Sequence, residues 1–203
     1  MQILKRVGLM LLAVVVLLLV VSLFLPSRVH VERSRVLKAR PDAVFAQVND
    51  LRNWFNWMPW NKVDPNMKIA WGAVTEGPEA KYAWESENKE VGQGSITIVK
   101  SDPNRMVQTD MDFMDHGKAT GEFILEEQPD GTKVTWTMDS EMGMNPVFKF
   151  MGLFMDKMVG PDFEKGLKDL DNVAQANPVA APEEQAVSTP TDSTQATAEP
   201  SKS

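Results

Sequence analysis

Few side chains in this sequence are placed to act as a general acid or base. Such a group must stand beside the substrate with a pKa close to the working pH. The candidates are His116, Asp110, Asp112 and Glu122. His116 falls in a predicted turn, and the carboxylates alternate with apolar residues in predicted strands, which assigns them to the solvent face. The pattern therefore identifies no catalytic residue.

Composition also argues against metal, thiol and nucleic-acid chemistry. The 203 residues include no cysteine and 2 histidines, which excludes thiolate ligands and disfavours a multi-histidine metal site. A net charge of -7 without a basic patch disfavours a nucleic-acid partner. Gly92 and Gly94 have the spacing of a phosphate loop, but no predicted helix follows them to supply free N–H groups. We expect no metal and no cofactor.

The aromatic and methionine side chains indicate a different chemistry, the binding of an apolar molecule. Trp54, Trp57 and Trp60 fall within seven residues. Ligand pockets are typically lined by apolar and aromatic groups with a few polar anchors, here Thr109 and Tyr82. A hydrophobic corner that only caps the core is the alternative interpretation of the tryptophans. The candidate ligand-binding residues are Trp57, Trp60, Trp71, Tyr82, Trp84, Thr109, Met111, Phe113, Phe123, Trp136, Met151, Met155 and Met158.

Most of these candidates lie in segments whose apolar residues recur with a period of two. After a predicted strand over residues 29–37 and a short helix that opens at Pro41, such segments continue from residue 67 to residue 138. Turn sequences such as Asp130-Gly131 separate them. The pattern predicts about six further strands of antiparallel sheet, each with one apolar and one polar face.

The remaining candidates lie on a predicted long helix over residues 146–173. Its apolar residues, including Met151, Met155 and Met158, recur every three or four positions. Pro161 follows Gly160 and has no N–H to donate, so we expect a kink or a restart of the helix there. Because the helix and the sheet each have an apolar face, the sequence predicts an α+β domain in which a curved antiparallel sheet wraps around the long C-terminal helix.

The two ends of the chain differ from this central domain. Residues 1–6 form a short basic tail, and residues 7–25 form an uncharged apolar run that, at about 1.5 Å per residue, could cross a hydrocarbon layer of about 30 Å. We expect a transmembrane anchor rather than a cleaved signal peptide, whose apolar region is usually about 7–15 residues long. The basic residues of the tail favour a periplasmic domain. Residues 177–203 lack aromatic residues and periodicity, which predicts a disordered tail.

The order of these elements and five sequence segments carry a family resemblance. The segments are PDAVFAQVND, NWFNWMPWNKVDP, VGQGSITI, GTKVTWTM and MGLFMDKMVGPDFEKGLKDL. Residues 29–174 resemble a membrane-anchored bacterial subgroup of the START-like or SRPBCC superfamily, the polyketide cyclase/dehydrase and lipid-transport group. The resemblance implies a helix-grip fold with a deep apolar cavity between the sheet and the C-terminal helix. It does not imply one activity, because the superfamily spans lipid carriers, hormone receptors and cyclases.

The sequence leaves three functions open. The first, which the apolar candidates favour, is a membrane-anchored domain that binds a hydrophobic small molecule or lipid in the cavity. The second is an enzyme of the cyclase/dehydrase type, for which the sequence offers few acids or bases. The third is a structural or partner-binding domain whose cavity is filled by its own side chains.

Overall fold

The structure, a computed structural model, describes residues 2–114 and 117–177. The turn predicted at His116 and all of the predicted tail beyond Asn177 lie outside the described residues. A 3-10 helix at Pro59–Lys62 lies between the third helix and the second strand. The other elements are α1 (Gln2–Phe24), β1 (Arg28–Leu37), α2 (Pro41–Asn49), α3 (Trp54–Trp57), β2 (Lys68–Trp71), β3 (Lys81–Glu85), β4 (Gln93–Asp102), β5 (Met106–Asp112), β6 (Lys118–Gln128), β7 (Gly131–Glu141), α4 (Pro146–Gly152) and α5 (Met155–Ala176).

The strands form one seven-stranded antiparallel sheet in the order β1-β7-β6-β5-β4-β3-β2. From β2 to β7 each strand pairs with the next in sequence, and β1 closes one edge by pairing with β7. The apolar residues alternate as predicted: Ile96 in β4, Phe123 in β6 and Trp136 in β7 are buried, whereas Asp110 in β5 is exposed. The period of two therefore reflects a sheet with one buried face.

Helix α5 packs across the buried face of this sheet. Phe163, Leu167 and Leu170 are buried along one side of α5. The Phe163 ring stacks on the Trp136 ring of β7, with 3.9 Å between centroids and 4° between the ring planes. Gly166 permits this approach because it has no side chain. A Cβ at this position would clash with the Trp136 ring, at 2.7 Å. The predicted α+β helix-grip architecture, a curved sheet around a C-terminal helix, is confirmed.

The C-terminal helical region differs from the prediction of one helix over residues 146–173 with a kink or a restart at Pro161. Helix α4 ends at Gly152 and α5 begins at Met155. Gly152 lies so close to β1 that a Cβ would be 2.7 Å from the Val29 side chain. The chain turns immediately after this contact, so α4 packs against α1 whereas α5 follows the sheet. The break therefore comes eight residues before the predicted kink.

Helix α5 continues through Pro161 because a side chain from β1 braces it. The Arg33 guanidinium lies against Gly160, where a side chain would occupy the same space. It pairs with Asp156 before the proline at 2.8 Å and with Glu164 after the proline at 3.0 Å. Both ion pairs hold α5 against β1 across the position where Pro161 removes one helical hydrogen bond.

The aromatic corner, α3 with the end of α2, is ordered by hydrogen bonds from indole nitrogens. Trp54 Nε1 donates to the Val48 carbonyl at 3.0 Å, and Trp57 Nε1 donates to the Gln47 carbonyl at 3.3 Å. These carbonyls belong to the last turn of α2, where no further helical N–H is present to satisfy them. The two indole N–H groups therefore cap the C-terminal end of α2, and the same arrangement buries both rings.

Helix α1 is long and apolar enough to cross a membrane, with a mean hydropathy of 3.2 across its most apolar stretch. Almost all of its side chains are exposed, and its buried residue is Ser22, near its C-terminal end. There α1 contacts α4, and Lys149 Nζ donates to the Ser22 carbonyl at 3.2 Å. The end of α1 is thus attached to the folded domain through α4.

Candidate ligand-binding site

The inner face of the sheet and the two C-terminal helices enclose a cavity of about 430 Å³. Strands β3 to β7 supply one wall, and α4 and α5 supply the opposite wall. The aromatic corner closes one end through Trp54, together with Met58 and with Trp60 of the 3-10 helix that follows. The cavity therefore occupies the space that the fold leaves between the sheet and the helix.

The closed end of the cavity is a cluster of packed rings that we call the aromatic floor: Trp54, Phe123, Trp136 and Phe163. Each of these side chains is buried. Trp136 stacks on Phe123 with 4.9 Å between centroids and on Phe163 on its other face. Trp54 meets the Phe123 ring edge-on at 5.6 Å. Rings held from several sides in this way give the cavity a rigid end.

The opposite end is lined by flexible side chains that we call the methionine lip: Met142, Phe148, Met151 and Met155. Met151 is 46% exposed, which places it at the opening. Exposed polar residues complete the rim, namely Lys89, Glu90, Gln93, Lys118 and Glu141. Methionine adapts to irregular shapes, so this end can accommodate different ligands without strain.

Among the described residues, the polar groups that face the otherwise apolar interior are Tyr82, Thr109, Asn61 and Ser140. Burial raises the pKa of the Tyr82 hydroxyl and outweighs the opposing effect of the neighbouring Asn61 side chain, so the phenol stays protonated at neutral pH. Thr109 Oγ1 donates to the Gly121 carbonyl at 3.3 Å. Asn61 Nδ2 is buried beside the Tyr82 hydroxyl, but no acceptor among the described residues, this hydroxyl included, lies in good hydrogen-bond geometry to it. A buried amide without a partner is a site where a ligand oxygen would be favoured.

Most of the residues predicted for the site line this cavity. They are Trp60, Tyr82, Trp84, Thr109, Met111, Phe113, Phe123, Trp136, Met151 and Met155. Their roles as ligand contacts stay predictions, but the structure brings the side chains together around one space. Period-two alternation located the strand residues because it assigns each of them to the inner face.

Three predicted residues, Trp57, Trp71 and Met158, lie outside the lining. Trp57 is fully buried behind the floor, with its ring 5.8 Å from Phe123, so it fills the core as the alternative interpretation held. Trp71 is 40% exposed on the edge strand β2, where it packs on the outer side of Tyr82. Met158 is 61% exposed, because the cavity stripe of α5 runs through residues four apart, beginning at Met155.

Sequence reasoning missed several residues of the lining. Val159 and Phe163 follow Met155 at four-residue steps on α5, so helical periodicity could have found them. Asn61 could not be predicted from the sequence, because a single polar residue in a short 3-10 helix belongs to no periodic pattern of apolar and polar residues. The other omitted residues are Trp54, Met58, Met67, Lys89, Glu90, Val91, Gly92, Gln93, Ile96, Lys118, Gly121, Met138, Ser140, Glu141, Met142 and Phe148.

The buried interior of the cavity offers hydrogen-bond donors, whereas the carboxylates of the lining, Glu90 and Glu141, lie on the exposed rim. Within residues 2–114 and 117–177, no group of three histidine or carboxylate residues lies close enough to hold a metal ion. The buried Tyr82 phenol is protonated at neutral pH, so it can donate a hydrogen bond but is a poor proton acceptor. The arrangement fits the binding of an apolar molecule that carries an acceptor oxygen.

The fold and the cavity together define a START-like, or SRPBCC, domain. The sequence profile of the family "Polyketide cyclase / dehydrase and lipid transport" matches residues 28–175. The chain belongs to this family. No curated protein matches the sequence.

Solved structures share the fold at low sequence identity. Protein CV1439 from Chromobacterium violaceum is 13% identical with a TM-score of 0.53, and the match covers 73% of this chain and 98% of that one. Ara h 8.0201 is 15% identical with a TM-score of 0.55, covering 74% and 99%. The di-domain ARO/CYC StfQ from the steffimycin biosynthetic pathway is 9% identical with a TM-score of 0.56, covering 73% and 51%. At these identities the likeness shows the fold alone.

Proposed function

We propose that this protein is a membrane-anchored START-like domain that binds a hydrophobic small molecule or lipid between the sheet and α5. The observation that carries the proposal is the cavity itself. Its volume of about 430 Å³ falls within the range of about 300–1,000 Å³ that is usual for ligand pockets. Family membership supports the same conclusion, because the family includes lipid transport in its description.

The polar groups of the interior define the kind of ligand. Asn61 Nδ2 and the Tyr82 hydroxyl can both donate hydrogen bonds, and they are close enough for the amide to affect the Tyr82 pKa. A ligand with a carbonyl, ester or carboxylic acid oxygen would give the amide a well-placed acceptor, which the nearby Tyr82 hydroxyl does not. We infer a ligand with one polar end near Asn61 and Tyr82 and an apolar body against the aromatic floor.

Anchoring and topology are also part of the proposal. Residues 7–25 are proposed as the membrane span and residues 29–174 as the binding domain. The support for anchoring is the apolar length of α1 and its exposed surface. The basic residues Lys5 and Arg6 favour a domain on the periplasmic side.

Native mass spectrometry of the detergent-extracted full chain tests ligand binding. We expect a co-purifying mass that disappears in Val159→Trp, because Val159 lines the cavity and the larger ring fills it. Lys168→Trp is the matched control, since Lys168 is exposed on the same helix and lies outside the lining. A ligand that is absent from the wild type, or equally present in both variants, would contradict the proposal and favour the self-filled structural domain.

A cyclase/dehydrase activity is a second candidate, and Tyr82 is the observation that favours it. A protonated phenol in an apolar cavity can polarise a ketone oxygen and so assist a cyclisation or dehydration. Tyr82→Phe removes that hydroxyl and leaves the ring packing. If the bound molecule is a polyketide, comparing its mass before and after incubation in wild type and Tyr82→Phe tests for turnover. Because ring closure alone conserves mass and only dehydration releases water, the absorption spectrum of the molecule is compared as well, and no change in mass or spectrum in either protein counts against catalysis.

A further inference from the structure

The segment between β7 and α5 is apolar on its outside as well as on its cavity side. Residues 142–155 contain one charged residue, Lys149. Side chains that point away from the cavity are strongly exposed: Met144 at 76%, Val147 at 64%, Leu153 at 52% and Phe154 at 56%. We call these four side chains the outer apolar patch. Exposed apolar side chains this close together mark an interaction surface.

The single charge of this segment is turned away from the patch. Lys149 is 5% exposed, and its ammonium group donates to the Ser22 carbonyl of α1 at 3.2 Å. Ser22 lies in the last turn of α1, where helical carbonyls lack partners and a cation is favoured. The contact therefore removes the charge from the outer surface of α4 and fixes α4 beside the end of α1.

The opening of the cavity lies at the same end of the domain. Met142 belongs to the methionine lip, and its backbone N–H donates to the Ser27 carbonyl, three residues after α1, at 2.8 Å. Glu141, on the rim, pairs with Arg28 at the start of β1 at 3.1 Å. The rim, α4 and the end of α1 are thus neighbours, and a membrane that holds α1 would face all three.

We propose that the outer apolar patch lies in the surface of the bilayer that holds α1, so that the cavity opens toward the membrane. The patch adjoins α1, because α4 packs against α1 and Lys149 bonds to the Ser22 carbonyl. A membrane that holds α1 would therefore cover the patch, and we identify the lipid surface rather than another protein as the partner of the patch. Short apolar segments beside a polar surface bind in this way at the boundary between headgroups and acyl chains. An apolar ligand would then pass between bilayer and cavity across the methionine lip without crossing water.

This inference rests on the proposed anchoring by α1, and one experiment separates the two. The chain has no native cysteine, so single cysteines can carry a fluorophore at chosen positions. The full chain is reconstituted into phosphatidylcholine vesicles that contain lipids brominated along the acyl chain, which quench a fluorophore only at short range. Leu153→Cys and Val147→Cys report on the patch, and Leu17→Cys reports on α1.

Val36→Cys is the matched control. Val36 is also an exposed apolar residue, at 54%, but it lies eight residues along β1 from Arg28 and so roughly 26 Å from the end near α1, at about 3.3 Å per residue. We expect severalfold stronger quenching at positions 17, 147 and 153 than at position 36. Quenching at position 17 alone would overturn the inference and leave the anchor in place. Quenching at none of the positions would overturn both, whereas ligand binding is judged separately by the Val159→Trp comparison.

Discussion

The aromatic floor and the methionine lip border the same cavity but are built in opposite ways. The floor consists of buried rings in contact on several sides, with Trp57 filling the space behind them. The lip consists mainly of flexible thioethers, and Met151 is nearly half exposed. Close packing stabilises a unique structure, whereas loose packing permits a change of shape. The comparison indicates that stability resides at the floor and adaptability at the lip.

The largest expected difference between the two ends is the loss of unfolding free energy when a large side chain is truncated to alanine. Trp57→Ala should lower the free energy of unfolding by about 3–5 kcal/mol, because it empties a fully buried aromatic site. Met151→Ala should cost less than about 1 kcal/mol, since the side chain is exposed at the opening. Chemical denaturation of both variants in detergent measures the difference. Similar losses at both positions would show that the lip is packed as tightly as the floor.

A smaller effect comes from adding a methyl group at each end. Gly166→Ala should destabilise by about 1–3 kcal/mol despite alanine's better helix propensity, because its Cβ would lie 2.7 Å from the Trp136 ring, which is held by stacking. Gly152→Ala places its Cβ 2.7 Å from the Val29 side chain, which is only half-buried, and 3.3 Å from the Met142 side chain, which borders the cavity and can move into it. Its cost should therefore be clearly lower. Equal melting temperatures for the two variants would contradict a rigid floor.

Tyr82 reports on the solvation of the interior between the two ends. It is the only tyrosine in the sequence, so absorbance at the tyrosinate band follows this hydroxyl alone. Burial raises its pKa above the ordinary value of about 10. The neutral phenol therefore stabilises the fold fully below pH of about 10, and this contribution is lost as pH rises through the raised pKa. Titration of the protein in denaturant is the control, and coincident curves would mean that water fills the cavity.

The smallest expected effect involves the polar surface near the lip. A hydrogen bond from His30 to Asp139, at 2.9 Å, raises the pKa of His30, and Glu32 adds to the rise. Its stabilising effect is present at low pH and is lost as pH rises through the raised pKa. Because these groups are exposed, His30→Gln should cost about 0.2–1 kcal/mol at pH 5.5, and less at pH 8. An equal cost at both pH values would show that the charge plays no part.

Sequence periodicity was sufficient to predict the sheet and much of the floor. Phe123 and Trp136 each alternate with polar neighbours, so their inward orientation followed from the strand period alone. Their mutual stacking could not be predicted, because it depends on how β6 and β7 pair and on the space that Gly166 leaves. The local sequence pattern predicts which side chains of a strand point inward. Which of these side chains touch depends on the pairing register of the strands and on the position of the helix.

The C-terminal helices show where local rules were insufficient. Pro161 was the obvious place for a kink, but Arg33, which is distant in sequence, braces the helix there. The actual break follows Gly152, whose close contact with Val29 comes from the tertiary structure. Asn61 escaped prediction for the same reason, since its importance lies in a buried amide without an acceptor rather than in a repeat. These features depend on long-range neighbours that a single sequence does not reveal.

The position of β1 at the edge of the sheet determines the order in which the domain can be completed during synthesis. β1 leaves the ribosome first among the strands, but Arg28 pairs with Glu141, 113 residues later. At about 5–20 residues per second, Arg28 waits roughly 6–23 s for its partner. The meander from β2 to β7 can form in that interval, because each of its strands pairs with its immediate successor. The edge of the sheet beside α1 is therefore the last part of the sheet to close, and α5 can pack across it only afterwards.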